Sequence, residues 1–294
     1  QNDGHIYIND VLAAGIKIFL ISDLQKNLDA NATYLVVKDT ALAFQKIAAL
    51  HLKKLKIPVI AITGSNGKTI VKEWLYQVLK KDFKIVRNPK SYNSQVGVPM
   101  AVLNAEKHHN LGIFEAGISE KGEMTKLEKI LRPKFGIFTT IGDAHSQGFK
   151  DIGVKIQEKL QLFENSDVLI YCKDHGVLHK YILEWAQNKK LTLCNWSYKS
   201  ENADLKIFQF EESRKGKRIK ALFKNKIVEI DLPFKDPTSI ENAIHCWLMA
   251  LLLGIANDNI KAGMLALEPV DMRLKQTEGI NTTQIIHDYY NSDL

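Results

Sequence analysis

The apolar residues of this chain follow two spacings, short runs typical of strands and longer periodic stretches typical of helices. Residues 59–62 form a short apolar run, partly β-branched, which predicts a buried strand. Apolar side chains then recur at helical spacing over residues 70–79. Strand-like and helix-like stretches alternate in this way from residue 57 to about residue 198. The pattern predicts an α/β fold with a mostly parallel sheet and helices on both faces.

The chain has a different pattern on either side of this region. Residues 1–56 have the short elements of a small α/β unit. Within them, residues 41–55 show a helical period whose apolar side is formed by Leu42, Ile47, Leu50 and Leu55. Residues 203–232 alternate like antiparallel strands joined by tight turns, and two helices and a further strand follow.

These changes of pattern predict three parts. The first is a partial N-terminal domain over residues 1–56, and the second is a central domain over residues 57–272. The third, residues 273–294, is the start of a truncated C-terminal domain. The chain begins at Gln1 and stops just after a strand-like run, so we expect it to be a piece of a longer protein.

A turn of small residues joins the strand at 59–62 to the helix that follows. It has the sequence Thr63-Gly64-Ser65-Asn66-Gly67-Lys68-Thr69. Strand, glycine turn, Lys-Thr and helix are the layout of a phosphate-binding loop, in which backbone N–H groups and the lysine hold phosphates and the threonine hydroxyl can bind Mg²⁺. The general pattern G-x-x-x-x-G-K-[ST] is incomplete, because Ile62 replaces its first glycine. The alternative is a glycine-rich turn with a surface lysine.

Polar side chains follow other predicted strands. Residues 88–99 form a loop rich in Asn, Ser and Gly, which is typical of either a binding loop or a plain surface turn. Glu115 ends a predicted strand, where a carboxylate can hold Mg²⁺, although a helix-capping or surface role is the alternative. His145 follows the next strand, and its role stays open between site and structure. Lys159 lies in a predicted helix, where a lysine is usually solvated.

Composition narrows the class of protein. The 294 residues are 45% hydrophobic and 25% charged, as in ordinary globular proteins. The net charge of +7 permits nucleic acid, nucleotides or acidic small substrates as partners. No arginine-rich stripe interleaved with aromatic residues is present, so we expect no nucleic-acid partner. The three cysteines match no metal or redox spacing, and no apolar run is long enough to span a bilayer. We expect a cytoplasmic protein without a membrane partner.

Taken in order, the motifs resemble those of the Mur ligases of peptidoglycan synthesis, and among them the MurF type. The resemblance covers nearly the whole chain. Its matching segments are Asp3-Gly4-His5 with Gly15, residues 62–69, the loop 88–99 ending in Gly97-Val98-Pro99, Glu115 with Gly122-Glu123, residues 141–145, Glu241-Asn242-Ala243 and Asp288-Tyr289-Tyr290-Asn291.

The chain also departs from the family pattern. Ile70 replaces a second threonine after Gly-Lys-Thr, and Lys159-Leu160-Gln161 replaces a Lys-Gly-Glu segment. The first part of the UDP-substrate domain and nearly all of the C-terminal domain are missing. The exact residues of several motifs resemble those of proteins in which a MurF-like half is fused to an alanine racemase. We therefore expect that such a fusion is possible for the protein that contains this chain.

The resemblance implies an ATP-dependent ligase that joins D-alanyl-D-alanine to UDP-N-acetylmuramoyl-tripeptide through an acyl phosphate. It implies a central ATP-binding domain whose nucleotide contacts are Gly64, Ser65, Asn66, Gly67, Lys68, Thr69, Asn242 at the adenine, and Arg273. It implies a first Mg²⁺ on Thr69 and Glu115, and a second on His145 and a carbamylated Lys159. The catalytic residues would be Lys68, His145 and Lys159.

Two other functions share parts of this pattern. One is a related ligase, either another Mur step or a folylpolyglutamate synthase, because these share the ATP loop. The other is a non-catalytic nucleotide-binding or nucleic-acid-binding module. Because the C-terminal domain of these ligases brings the amine substrate and closes over ATP, we expect these 294 residues alone to bind nucleotide weakly and not to ligate.

Overall fold

A computed structural model describes residues 3–24, 28–142, 151–213, 216–270, 275–278 and 283–287 of the chain. A short 3-10 turn, Gly4–Tyr7, leads into the first helix, and two short strands pair in parallel beside it. These elements are α1 (Ile8–Ala13), β1 (Ile18–Ile21) and β2 (Thr33–Val36). Strands and helices then alternate, as the apolar spacing predicts.

The alternating region contains six strands and six helices among the described residues. They are α2 (Thr40–Leu55), β3 (Val59–Thr63), α3 (Lys68–Leu79), β4 (Ile85–Arg87), α4 (Gly97–Leu103), β5 (Leu111–Glu115), α5 (Glu123–Leu131), β6 (Phe135–Phe138), α6 (Ile152–Leu160), β7 (Val168–Cys172), α7 (Gly176–Ala186) and β8 (Thr192–Ser197). The remaining elements are β9 (Leu205–Ser213), β10 (Gly216–Phe223), β11 (Lys226–Leu232), α8 (Pro237–Leu252), α9 (Asn257–Leu265), β12 (Lys275–Glu278) and β13 (Gln284–His287).

The central sheet has nine strands within the described part of the chain, in the order β11-β10-β9-β8-β7-β6-β3-β5-β4. The strands from β4 to β9 pair in parallel, and β9, β10 and β11 form an antiparallel meander. The prediction of a mostly parallel α/β sheet is confirmed, and the strands predicted as antiparallel over residues 203–232 extend this same sheet. Because β3 lies between β5 and β6, the chain order reverses at β3, which is where open α/β sheets bind ligands.

Side chains of β3 alternate between two apolar cores, one on each face of the sheet. Ile60 and Ile62 pack with residues of α3, α8 and α9, whereas Val59 and Ala61 pack with residues of α2, α4 and α5. All five residues of β3 are buried, as expected for a strand covered by helices on both sides. This burial fixes the position of the loop that follows β3.

The packed face of α2 differs from the predicted one. Leu42, Ile47 and Leu50 are exposed by 44% to 54%, so the predicted apolar side was wrong for these three residues. The buried residues of this helix are Gln45, Ala48 and Leu52, and they lie one and two turns apart. Ala48 and Leu52 share a core cluster with Val59 of the central sheet. Ala48 is completely buried, and a count of large apolar residues does not reveal so small a packed side chain. The domain boundary at residue 56 stays a prediction.

The helices of the described segments are too short or too polar to cross a bilayer. All three cysteines, Cys172, Cys194 and Cys246, are free and buried.

Candidate functional site

The glycine turn after β3 has backbone angles that only glycine adopts easily. Gly64 has φ +146° and Gly67 has φ +81°. A Cβ at Gly64 would lie 2.0 Å from Thr139 Oγ1, and a Cβ at Gly67 would lie 2.3 Å from Asn242 Oδ1. Both glycines are therefore required by close approach as well as by conformation.

The end of β6 supports this turn from the side. The N–H of Ser65 donates to the Thr140 carbonyl at 2.7 Å, and Thr139 Oγ1 donates to the Asn66 carbonyl at 2.6 Å. The loop is thereby fixed by the protein alone, and α3 begins directly after it at Lys68. The helix N-terminus and the loop N–H groups together form a ready site for anions. The two threonines were missed in the sequence, because their contact depends on the order of the strands.

Two lysines meet at one carbonyl oxygen of the loop. Lys68 Nζ donates to the Gly64 carbonyl at 3.0 Å and to the Ser65 carbonyl at 2.7 Å. Lys159 Nζ, from α6, donates to the same Gly64 carbonyl at 3.0 Å. Lys159 is only 4% exposed, so it is not the solvated helix lysine that was the alternative. The structure thus places Lys68 and Lys159 together on the loop.

The environment of Lys159 favours its neutral form. Burial lowers the pKa of its ammonium well below the usual value, and the charges of Lys68 and Lys155 lower it further. A neutral lysine amine is a nucleophile, whereas an ammonium is not. Burial among positive charges therefore makes Lys159 easier to deprotonate than an exposed lysine.

Glu115 lies at the end of β5, in register with Ile62 of β3. Its side chain is fully buried, which excludes the surface alternative. Asn93 Nδ2 donates to Glu115 Oε1 at 2.8 Å, and the Glu115 N–H donates to Asn88 Oδ1 at 2.7 Å. Part of the Asn-rich loop is therefore a support for this carboxylate and not a plain surface turn. On the neighbouring helix, Thr69 Oγ1 lies 3.1 Å from Ser91 Oγ of the same loop.

Residues 62–250 match the family model described as the Mur ligase middle domain. The chain belongs to the Mur ligase family. The resemblance found from the motifs is therefore confirmed, and the matched region contains the whole of the phosphate loop, Glu115, Lys159 and Asn242.

Relatives within the Mur ligases are of the MurF type. A UDP-N-acetylmuramoyl-tripeptide–D-alanyl-D-alanine ligase of Buchnera aphidicola is 28% identical over 99% of this chain and 64% of its own length. The ligase of the same name from Borreliella burgdorferi is 30% identical over 90% of this chain and 57% of its own length. This Mur ligase chain thus spans less than two thirds of the length of these relatives.

Solved structures agree in fold. A crystal structure of MurF from Acinetobacter baumannii superposes with a TM-score of 0.86 at 25% identity, covering 100% of this chain and 63% of that one. MurF from Thermotoga maritima in complex with ADP gives 0.85 at 21% identity, covering 99% and 66%. A folylpolyglutamate synthase from Mycobacterium tuberculosis gives 0.66 at 14% identity over 80% and 64%. The fold is therefore that of Mur ligases in general, with MurF structures agreeing over more of the chain than this synthase.

Three buried polar atoms of this Mur ligase site have no hydrogen-bond partner among the described residues. They are Ser65 Oγ, Glu115 Oε2 and Asn242 Nδ2. Buried polar atoms are normally hydrogen-bonded, and no described residue supplies a hydrogen-bond partner for these three. Glu115 Oε2 is an acceptor, Asn242 Nδ2 is a donor and Ser65 Oγ is a hydroxyl. These three kinds of group are suitable for binding a nucleotide together with its cation. The described residues contain no group of three His, Cys, Asp or Glu side chains placed to hold a metal.

Other predicted site residues are located only in part. Asn242 is buried and packs against Gly67, which places it beside the loop, and its contact with adenine stays a prediction. His145, Arg273 and the segment 288–291 lie outside the described residues, so their roles also stay predictions.

One charged residue of the site was missed in the sequence. Lys72 lies one turn after Lys68 on α3 and is completely buried. Its Nζ lies 3.6 Å from Glu115 Oε2 and donates to the carbonyls of Asn88 and Lys90. The adjacent pair Lys72-Glu73, in the middle of an otherwise apolar helix, is the signal that could have revealed it.

Proposed function

We propose that this chain is the nucleotide-binding part of an ATP-dependent ligase that joins D-alanyl-D-alanine to UDP-N-acetylmuramoyl-tripeptide. The observation that supports it is the meeting of Lys68 and Lys159 on the Gly64 carbonyl, at the loop after the central strand. Buried polar atoms of Ser65, Glu115 and Asn242 have no hydrogen-bond partner in the part of the chain that the structure describes. The MurF relatives supply the substrate class, because each named relative joins these two molecules.

In the proposed reaction a peptide carboxylate attacks the γ-phosphate of ATP, and the amine of the dipeptide then displaces phosphate from the acyl phosphate. Both steps concentrate negative charge, so stabilisation comes from fixed cations and N–H donors. Lys68 would turn from the Gly64 and Ser65 carbonyls to the β- and γ-phosphates. The loop N–H groups would hold the same phosphates without moving, because Thr139 and Thr140 already fix the loop.

The residues present also fit divalent cations. The Thr69 hydroxyl and Glu115 Oε2 would hold one Mg²⁺, and His145 with a carbamate on Lys159 would hold a second. Bound Mg²⁺ would neutralise the charge that develops on the phosphate oxygens. The low proton affinity of buried Lys159 supports its carbamylation, since only the neutral amine adds carbon dioxide. A carbamate would also convert a cation into an oxygen ligand, which Mg²⁺ prefers.

The test is Lys68→Ala in the natural full-length protein that contains this sequence. We expect turnover with UDP-N-acetylmuramoyl-tripeptide, D-alanyl-D-alanine and ATP to fall by at least about 100-fold, because a cation on the transferring phosphate is lost. Lys80→Ala, at an exposed site at the end of the same helix, is the control and should keep parental turnover. Parental turnover in Lys68→Ala would contradict the role of the loop. Turnover with a folate and glutamate in place of the cell-wall substrates would show that the ligase is of the related type.

Two further parts of the proposal concern the whole protein. A cytoplasmic location would suit the two proposed substrates that are nucleotides, ATP and UDP-N-acetylmuramoyl-tripeptide. The fusion to an alanine racemase rests on motif wording alone, and the intact mass of the natural gene product tests it.

A further inference from the structure

Lys72 is a lysine with no exposed surface. Its side chain has a relative exposure of 0%, and it is among the largest fully buried side chains of the chain. Removing an ammonium from water costs several kcal/mol unless acceptors and opposite charges replace the water. The groups that surround Lys72 Nζ therefore indicate the role of this buried side chain.

Two of those groups are carbonyls of the loop after β4. Lys72 Nζ donates to the Asn88 carbonyl at 2.9 Å and also to the Lys90 carbonyl. The structure shows no helix or strand between the end of β4 at Arg87 and the start of α4 at Gly97. The two hydrogen bonds from Lys72 therefore attach this irregular loop to helix α3. Lys72 thus fixes the loop from beneath.

The same loop orients Glu115. Asn88 Oδ1 accepts the Glu115 N–H, and Asn93 Nδ2 donates to Glu115 Oε1. The Asn93 carbonyl in turn accepts the N–H of Gly117, just beyond the strand, at 2.9 Å. The position of the carboxylate therefore depends on a loop whose own position depends on Lys72.

Two carboxylates flank the ammonium at different distances. Glu73 Oε1 lies 3.2 Å from Nζ, and Glu73 Oε2 accepts a hydrogen bond from Arg87 at 3.0 Å. Glu115 Oε2 lies at 3.6 Å, beyond ordinary hydrogen-bond distance, and has no hydrogen-bond partner among the residues described. Lys72 thus balances the charge of Glu115 while leaving the lone pairs of Oε2 available.

We propose that Lys72 is a positioning residue for a divalent cation at Glu115: it holds the loop that aims the carboxylate and supplies a counter-charge without hydrogen-bonding to Oε2. The inference rests on the proposed function, in which Glu115 is a metal ligand. A purely structural lysine would stabilise the fold without affecting cation affinity.

The experiment measures Mn²⁺ binding to the ADP complex of the natural full-length protein, by the loss of the free Mn²⁺ signal in electron paramagnetic resonance. The affinity for ADP in the presence of a chelator is measured in parallel. If the parent protein binds no ADP, the proposed function itself fails and the role of Lys72 fails with it. If the parent binds both ADP and Mn²⁺, the variants test Lys72 separately.

Lys72→Met keeps the length of the side chain and removes its charge and both loop bonds. We expect Mn²⁺ affinity to fall by about 10- to 100-fold, as for other groups that orient a metal ligand, with metal-free ADP affinity unchanged. Lys81→Met makes the same chemical change at an exposed position just after α3 and should match the parent. A folded Lys72→Met protein with parental Mn²⁺ affinity overturns the inference.

Glu73→Gln decides the matter if Lys72→Met does not fold. Glu73 is 20% exposed and touches neither the loop carbonyls nor Glu115, so the fold should tolerate the change. With its nearer carboxylate neutralised, Nζ would turn towards Glu115 Oε2 and occupy the free lone pair. Mn²⁺ affinity should then fall by about tenfold or more. Parental Mn²⁺ affinity in Glu73→Gln overturns the inference, because a purely structural lysine predicts that result.

Discussion

At the scale of single residues, Lys159 has the most unusual surroundings in the site. Its ammonium shares the Gly64 carbonyl with Lys68, and burial and neighbouring positive charge both lower its pKa. Such an amine is unstable as a cation and has little water to stabilise it. Conversion to a carbamate would remove the repulsion between the two lysines and replace it with attraction.

Lys159→Ala in the natural full-length protein should therefore reduce ligase turnover by at least about 100-fold, because the proposed metal ligand would be lost. Bicarbonate should not restore the activity, since no amine remains to be carbamylated, but short-chain carboxylic acids should restore part of it by placing a carboxylate in the vacated space. Lys180→Ala, on an exposed lysine of α7, is the control. Wild-type turnover in Lys159→Ala would refute the role.

His245 is a second buried residue with a testable charge state. It is fully buried on α8, accepts a hydrogen bond from Trp196 Nε1 at 3.2 Å, and burial lowers its pKa from 6.5 to about 4. The nearby Glu241 opposes this shift and His175 adds to it. The unfolded chain binds this proton more readily than the folded one. The stability that comes from keeping His245 neutral is therefore fully present above pH 6.5 and is lost as the pH falls towards about 4.

Urea unfolding at neutral pH and near pH 4 should show this loss as roughly 3 kcal/mol, on top of the contribution of the carboxylates. In His245→Asn, whose amide oxygen can still accept from Trp196, that part of the acid loss should disappear. An equal acid loss in both proteins would show that His245 does not titrate as its burial requires.

Chemistry at the site was partly predictable at this scale. Lys68 and Thr69 follow a glycine turn in a fixed order, so sequence spacing pointed to them. Glu115 was a candidate because it ends an apolar strand, and the family resemblance supplied its proposed role as a metal ligand. Lys72 was not selected, because a lysine in a helix is normally solvated, and the packed structure shows that this one is buried. Asn242 came from the family resemblance, and the structure adds its contact with Gly67.

At the scale of elements, the junction of β3, the glycine turn and α3 controls the site. The N-terminus of α3 points at the loop, and its large apolar residues Val71, Trp74, Leu75 and Val78 are buried in the core. The apolar period predicted this helix correctly. The period of α2 was misleading, because the small Ala48 makes its packed face less apolar in sequence than its exposed face.

Gly67→Ala should disturb this junction. The change places a Cβ at φ +81° and 2.3 Å from Asn242 Oδ1, so we expect a loss of about 1–3 kcal/mol in the free energy of unfolding and loss of ADP binding. Gly254→Ala is a matched control, because Gly254 has φ +74° with no atom within 4 Å of the added Cβ. The control should lose stability but keep ADP affinity. Equal ADP affinity in both variants would contradict the close approach of Asn242.

At the scale of the whole molecule, the order of the strands was beyond sequence reasoning. Alternating strands and helices predict a parallel sheet, but they do not specify that β3 lies between β5 and β6. That order brings Thr139 and Thr140 to the loop and sets Glu115 in register with Ile62. Fold class therefore follows from local pattern, whereas the shape of the site follows from long-range pairing.

The 294 residues alone should bind ADP weakly and give no ligation product with ATP and both cell-wall substrates. The chain spans only 64% and 57% of the length of two related ligases. The physical reason for the expectation is that a site of this kind is completed when a further domain closes over the nucleotide. Product formation by this chain, assayed beside the natural full-length protein, would contradict the expectation.

The loop at residues 64–67 rests against Thr139 and Thr140, whose codons are translated more than seventy positions later. During synthesis, a nascent chain that has not yet emerged beyond residue 140 contains the glycines and Lys68. It lacks the two threonines whose hydrogen bonds hold the loop in its folded conformation. Nucleotide added to stalled ribosomes should therefore protect only the longer nascent chains from protease.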